Sequence, residues 1–250
     1  MNLQQATLET WTSEAAEFGD NIREELETRK CEAWTNLILA HAPKKEYLHF
    51  LDIGTGPGFF PIILTKAGHS VTGIDCTEEM LKQARKNAAE QQVSPHFLLA
   101  DGQDLPFDDN SFDCVISRNV TWTLLDAEQA YREWLRVLRP GGRILIFDAN
   151  WNRRYHDPEL MRQFEEDQKR YAKLFQKEEM QVLSPEGEAY RRNVPMCKRQ
   201  RPQWDFDTFL EIGVKRLYCD ADITDLVWDE ERKVRYRSTP MFLLVAEKPI

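Results

Sequence analysis

Leu51-Asp52-Ile53-Gly54-Thr55-Gly56-Pro57-Gly58 joins an apolar run to a helical one through three glycines. Tyr47-Leu48-His49-Phe50 before it is apolar enough to end a buried strand, and Phe59-Phe60-Pro61-Ile62-Ile63-Leu64 after it reads as the start of a helix. A strand that becomes a helix through glycines brings its backbone very close to whatever lies above the turn. The helix N-terminus adds unpaired N–H donors and a positive dipole end. Such a turn receives a polar or anionic ligand group at the C-terminal edge of a sheet. Spacing narrows the ligand. The dinucleotide fingerprint G-x-G-x-x-G would place its third glycine at Phe59. The pattern here is G-x-G-x-G, with Asp52 two residues before the first glycine. Taken alone, this turn also fits a dinucleotide or no ligand at all.

Two further segments sharpen that reading. Ser70-Val71-Thr72-Gly73-Ile74-Asp75 is a short β-rich run ending in a carboxylate, about 20 residues past the first glycine, a distance that suits a βαβ unit. An acid there can accept hydrogen bonds from both hydroxyls of a ribose. Asp75 could instead cap the next helix, but Thr77-Glu78-Glu79 already supplies a good helix start. Met80, Leu81 and Ala84 of that helix point inward. His96-Phe97-Leu98-Leu99-Ala100-Asp101-Gly102 gives a third strand, again ending in Asp–Gly, and Cys114-Val115-Ile116-Ser117 a fourth. In a parallel sheet these ends share one edge, so three of them together mark a site.

In order and spacing, "L-D-I-G-T-G-P-G", "T-G-I-D-C-T-E-E-M-L", "A-D-G-Q-D-L-P-F", "S-F-D-C-V-I-S" and "V-L-R-P-G-G-R-I-L-I" resemble the successive motifs of class I S-adenosylmethionine (SAM) dependent methyltransferases, in the small-molecule type 11 group. The resemblance covers most of the chain to Asn150. It implies an α/β, Rossmann-like, doubly wound seven-stranded sheet with its last strand antiparallel. It also implies that Asp52, Gly54, Thr55, Gly56 and Gly58 approach the methionine part of SAM, and Met80 is counted among the cofactor-binding residues. Asp75 would bind the ribose, Asp101 and Gly102 the adenine, and Cys76 would lie against it. Arg118-Asn119-Val120-Thr121-Trp122 would lie beneath the transferred methyl and the methionine amine. Asn119 and Trp122 have nearly the spacing of the N-P-P-Y/F of nucleic-acid amine methyltransferases, but both prolines are missing. This segment is therefore read as pocket lining.

The rest of the chain supplies the substrate elements. Residues 1–43 read as an N-terminal helical cap of two helices, the second capped by Asp20, with Trp11 and Phe18 available to line a substrate pocket. Residues 44–150 form the cofactor core, 151–203 a helical lid or insert after strand five, and 204–250 complete the sheet. Arg139-Pro140-Gly141-Gly142 reads as a turn before a strand over Ile144–Phe147. Asp148-Ala149-Asn150-Trp151-Asn152-Arg153-Arg154-Tyr155-His156 leaves the C-terminal end of that strand and so faces the ligand edge. Asn150, Trp151 and Arg153 are substrate-binding candidates there. Asp148, Tyr155 and His156 are candidate bases, needed only if the acceptor is protonated at working pH. From Asn150 to Pro202 the chain carries 12 basic and 9 acidic residues, within a net charge of −9. The run from Arg191 to Arg201 holds five basic residues and no acid. It reads as a solvated lid or as a recognition element for an anionic substrate. Asp220 to Tyr236 reads as an exposed hairpin or loop.

Composition excludes other classes. The acidic balance is unsuited to non-specific nucleic-acid binding. No run of about 18 apolar residues suggests a membrane span. The first residues lack a secretory pattern, so a cytoplasmic location is expected. Five scattered cysteines without C-x-x-C argue against a zinc site and a disulfide framework. The expectation is thus a methyltransferase that converts SAM to S-adenosylhomocysteine on a small molecule, as a monomer or homodimer, without a metal. An RNA or protein methyltransferase docking on the basic insert, or a non-catalytic SAM-binding protein, are the alternatives.

Overall fold

The computed structural model describes residues 2–177 and 184–250, so residues 178–183 of the expected insert lie outside the described residues. The chain opens with α1 (Leu3–Leu26) and α2 (Lys30–His41), followed by β1 (His49–Ile53), α3 (Phe59–Lys66), β2 (Ser70–Asp75), α4 (Glu78–Glu90) and β3 (His96–Leu99). Next come β4 (Phe112–Arg118), α5 (Ala127–Val137) and β5 (Leu138–Asp148), then α6 (Pro158–Phe175), α7 (Pro185–Asn193) and α8 (Gln203–Ile212). The chain closes with β6 (Arg216–Asp220), α9 (Thr224–Val227), α10 (Glu230–Arg235) and β7 (Phe242–Glu247).

The seven strands run in the order β3-β2-β1-β4-β5-β7-β6. The first five pair in parallel, whereas β7 is antiparallel to both β5 and β6. The doubly wound α/β sheet read from the motifs is therefore the fold. Alternate side chains feed two cores, as the two-residue period of a strand requires. Phe50, Cys114, Ile116, Leu145 and Phe147 pack with α2 and α3 on one face. Leu51, Ile53, Val115, Ile144 and Ile146 pack with α5 and α8 on the other. The order reverses between β1 and β4, which puts the glycine turn at the point where such sheets bind ligands.

Four local expectations are corrected. Asp20 caps nothing: α1 runs through it to Leu26, and the break falls at 27–29. The helix continues because α4 supports it there, Asn87 donating to the Gly19 carbonyl at 3.5 Å and Arg23 pairing with Glu90 at 3.2 Å. The Arg139–Gly142 segment is not a separate turn but the bulged start of β5, which pairs with β4 from Leu138 onward with a register shift. Thr77 stands at the N-cap of α4 without a side-chain cap bond. The stretch from Asp220 to Tyr236 is no exposed hairpin: it contains α9 and α10 and buries Val227 and Trp228.

Candidate functional site

At the turn itself, Gly54, Gly56 and Gly58 all have positive φ, at 61°, 50° and 89°. A Cβ on Gly54 would meet Val120 at 2.5 Å, so this glycine is needed for packing. Gly56 is different: a Cβ there would meet only the Met80 sulfur, at 4.0 Å. The backbone at Gly56 thus borders space that a ligand can fill. The turn is held by two acids. Asp75 Oδ2 accepts the Gly56 N–H at 2.9 Å, and its Oδ1 accepts the Thr77 N–H and hydroxyl at 3.0 and 2.9 Å. This explains the missing cap bond, since the Thr77 hydroxyl serves the carboxylate instead of the helix. Asp75 Oδ2 has made only one of these bonds, which leaves acceptor capacity for a ligand hydroxyl. Burial raises the Asp75 pKa, and the Thr77 and Gly56 donors work against that rise.

Asp52 is fully enclosed below the turn and accepts the Thr55 hydroxyl at 2.7 Å. Burial pushes its carboxyl up to about 7, with Thr55 and Arg118 pulling it down and Asp75 pushing it further up. Beside Asp75, the exposed Cys76 has its thiol raised to about 12, first by desolvation and then by the charges of Asp75 and Asp101. Asp101 is exposed and its Oδ1 accepts the Gln103 N–H at 2.9 Å, while the Gly102 carbonyl accepts Trp134 Nε1 at 2.8 Å. The sheet topology brings Asp52, Asp75, Asp101 and the glycine turn to one edge.

Past β4, Arg118 is already engaged. It pairs with Glu25 of α1 through two bonds of 2.9 and 3.2 Å and lies over the Phe59 ring at 4.4 Å. Despite burial, Arg118 holds the Glu25 carboxyl below its usual range. Arg118 therefore fastens α1 over the turn and is not a free ligand contact, a correction to its expected role. Asn119 adopts φ 60° and its Oδ1 accepts Trp151 Nε1 at 3.2 Å. Trp122 is buried, edge-on to Trp11 at 6.0 Å, and Trp11 in turn meets the half-open Phe18 at 5.7 Å. These three aromatic rings come together along the middle of α1.

Past β5 the expected bases do not converge. Asp148 is fully buried, with Oδ2 accepting from the Thr121 hydroxyl, the Trp122 N–H and Arg201, and Oδ1 from the Ala149 N–H. A carboxylate so saturated cannot take a proton from a substrate, which corrects its candidacy. Arg201, the last residue of the basic run, is internal and bridges Asp148 at 3.0 Å and Asp205 at 2.8 Å. Burial opposes its charge, but the two aspartates hold its proton more firmly than usual. Tyr131 closes the network by donating to Asp205. Asn150 serves the same latch: its Oδ1 accepts the Arg201 N–H at 3.1 Å and its Nδ2 donates to the Arg201 carbonyl at 2.7 Å. His156 is exposed, its Nε2 against the Arg192 carbonyl at 2.8 Å, and Tyr155 lies under Arg154 and Arg192. Arg153 reaches only the Lys198 carbonyl, at 3.5 Å. Arg191 and Arg192 pair with Glu14 and Glu188. The basic run is thus largely neutralised within the fold.

Sequence reading missed Glu25, Thr77 and Tyr190. The first two carry a signal only as a charge on a helix and a hydroxyl beside Asp75. Tyr190 is buried with Trp122 and Cys197, and its hydroxyl accepts from Thr7 at 3.1 Å. No local pattern announces that contact across 183 positions. Among the described residues, no group of three or more His, Cys, Asp or Glu is arranged to hold a metal ion.

Comparison with known proteins agrees with this architecture. Residues 51–146 match the type 11 "Methyltransferase domain" family. A malonyl-[acyl-carrier protein] O-methyltransferase of Erwinia pyrifoliae is 39% identical over 110 residues, 44% of this chain and 40% of that protein. A demethylmenaquinone methyltransferase of Thermus thermophilus is 36% identical over 115 residues, 45% and 50% of the two chains. The chain thus spans half or less of the length of these curated relatives. Among solved structures, Haemonchus contortus phosphoethanolamine N-methyltransferase 2 superposes with a TM-score of 0.58 at 17% identity, over 88% of this chain and 52% of that one. A Methanococcus maripaludis protein also gives 0.58, at 21% identity over 93% and 92%. Residues 51–146 thus match a methyltransferase domain, and the sheet order with its glycine turn is the Rossmann-like methyltransferase fold.

Proposed function

We propose that this protein transfers the methyl group of SAM to a small-molecule acceptor and releases S-adenosylhomocysteine. The observation that carries the reading is the turn at Gly56, whose backbone borders fillable space while its N–H is held by the carboxylate of Asp75. The residues present fit the cofactor. Gly56 permits close approach, Asp75 offers acceptor capacity to the ribose, and Asp101 and Cys76 stand exposed where the adenine would lie. SAM, when bound, supplies a methyl group already activated by its sulfonium. The chain's own task is alignment and exclusion of water, and holding reactants in line is where such a site gains most of its rate. Trp11, Phe18 and Trp122 wall the acceptor side, and α1, fastened by Glu25 and Arg118, covers it. With Asp148 saturated and His156 exposed against the Arg192 carbonyl, the reading uses no general base from these residues and suits an acceptor that is nucleophilic as bound.

Calorimetry with SAM, S-adenosylhomocysteine and NAD tests the reading. Binding of the first two without NAD is expected, and no binding of either SAM form would overturn it. Asp75→Asn keeps the shape but makes one acceptor oxygen a donor. Its affinity for S-adenosylhomocysteine should fall by about tenfold or more, the usual cost of a hydrogen bond to a charged group.

A further inference from the structure

Past β3 the chain turns back on itself at Asp101, and the Gln103 side chain in that turn is committed at both ends. The Asp104 N–H donates to the Asp101 carbonyl at 3.2 Å and closes the turn, while Trp134 Nε1 donates to the Gly102 carbonyl. Gly102 lies so close to Ile53, the last residue of β1, that a Cβ there would stand 2.7 Å from its side chain. The turn that carries Asp101 therefore rests beside the glycine turn. Gln103 Nε2 donates to both Asp101 oxygens, at 3.1 and 3.4 Å, and the Gln103 N–H adds a bond to Oδ1 at 2.9 Å. At its other end, Gln103 Oε1 accepts the Leu125 N–H at 3.1 Å and the Asp126 N–H at 2.7 Å. Two N–H donors face one end of the amide and a carboxylate faces the other, so the chemistry fixes which end is oxygen.

Those two N–H groups are themselves held in place. They belong to the segment between β4 and α5, which Asp148 fixes through the Thr121 hydroxyl and the Trp122 N–H. Val120 of the same segment packs over Gly54. A chain of contacts thus runs from the end of β5, through this segment and Gln103, to the carboxylate of Asp101. Asp101 is exposed. An exposed carboxylate left to itself samples several rotamers, and ordering it before a ligand arrives removes that entropy loss from binding. Asp101 Oδ2 carries only the longer Gln103 bond, which leaves it acceptor capacity for a ligand N–H.

We infer that Gln103 is a positioning residue of the cofactor site, which holds the Asp101 carboxylate in the orientation that accepts the exocyclic amine of adenine. The inference rests on the methyltransferase reading and on the place that reading gives Asp101. Gln103 acts through Asp101 and touches no ligand in this role. The adenine amine is a donor, whereas the carbonyl of hypoxanthine at the same position is an acceptor and is repelled by a carboxylate.

Calorimetry on the full chain tests this with S-adenosylhomocysteine and S-inosylhomocysteine, its analogue with a carbonyl in place of the adenine amine. Wild type should favour the adenine form by about tenfold or more, the usual strength of a hydrogen bond to a charged group. Gln103→Met, similar in length but without the amide, should cut that preference by about two- to tenfold. Gln103→Glu separates tying the turn from holding Asp101. It keeps an acceptor for the Leu125 and Asp126 N–H groups but loses the donor to Asp101 and sets a like charge beside it. Its preference should fall at least as far. In an Asp101→Ala background, Gln103→Met should change the preference no further. Circular dichroism and urea denaturation on the same samples report folding. A purely structural role would weaken both ligands alike and leave the preference where it was. The inference is overturned if wild type shows no preference, if either Gln103 variant keeps the wild-type preference, or if Gln103→Met still lowers it in the absence of Asp101. Failure of wild type to bind S-adenosylhomocysteine at all would instead overturn the methyltransferase reading, and the inference with it.

Discussion

At the scale of single residues, the site is governed by where backbone and charge are confined. Gly54 sits at φ 61° with Val120 where its Cβ would be. Gly54→Ala should therefore cost about 2–4 kcal/mol, the sum of left-handed strain and overpacking. Urea denaturation would measure that cost, and Val120→Ala should recover the packing share only. Asp52 makes the pH prediction. Its carboxyl is lifted from 3.8 to about 7, so the folded chain holds a proton there that the unfolded chain has released. A raised acid contributes nothing unfavourable below pH 4, and its cost grows as pH climbs from about 4 to 7. The full cost is on the order of 4 kcal/mol at 1.36 kcal/mol per unit. Asp52→Asn keeps the Thr55 bond without the titration, so stability should fall less steeply across that window than in wild type. Parallel slopes would show that Asp52 is not lifted.

At the scale of elements, two charge contacts fix parts of the chain that the glycine turn does not touch. The Glu25–Arg118 pair ties α1 to the end of β4, and Arg201 ties the segment before α8 to the end of β5. Arg201 is flanked by two buried aspartates, so Arg201→Met strands both charges. A loss of about 3–5 kcal/mol is expected, since removing one partner of a buried pair leaves the others uncompensated. Chemical denaturation would read it, and a loss below about 1 kcal/mol would mean that water reaches the network. These contacts also explain why the basic run misled. Composition shows five cations, but only burial shows that one of them belongs to the interior.

At the scale of the whole molecule, ligand and fold are linked through the edge of the sheet. Anything that binds only the native state stabilises it, by about 2.7 kcal/mol at a hundredfold excess over the dissociation constant. S-adenosylhomocysteine at that excess should raise the melting temperature by several degrees in thermal scans, and NAD should not. The sheet and the cofactor edge were legible because their signals are local. Strand periodicity, the G-x-G-x-G turn and acids at strand ends are each written within a few residues, and parallel pairing carries them to one edge. The Rossmann-like sheet and its glycine turn, with Asp52, Asp75 and Asp101 along it, follow from these local patterns. Tertiary contacts alone saturate Asp148, fasten Arg118 to α1 and draw Arg201 into the interior. Those outcomes depend on partners as far as 93 positions away, and a charge keeps no record in its own neighbourhood of what will neutralise it.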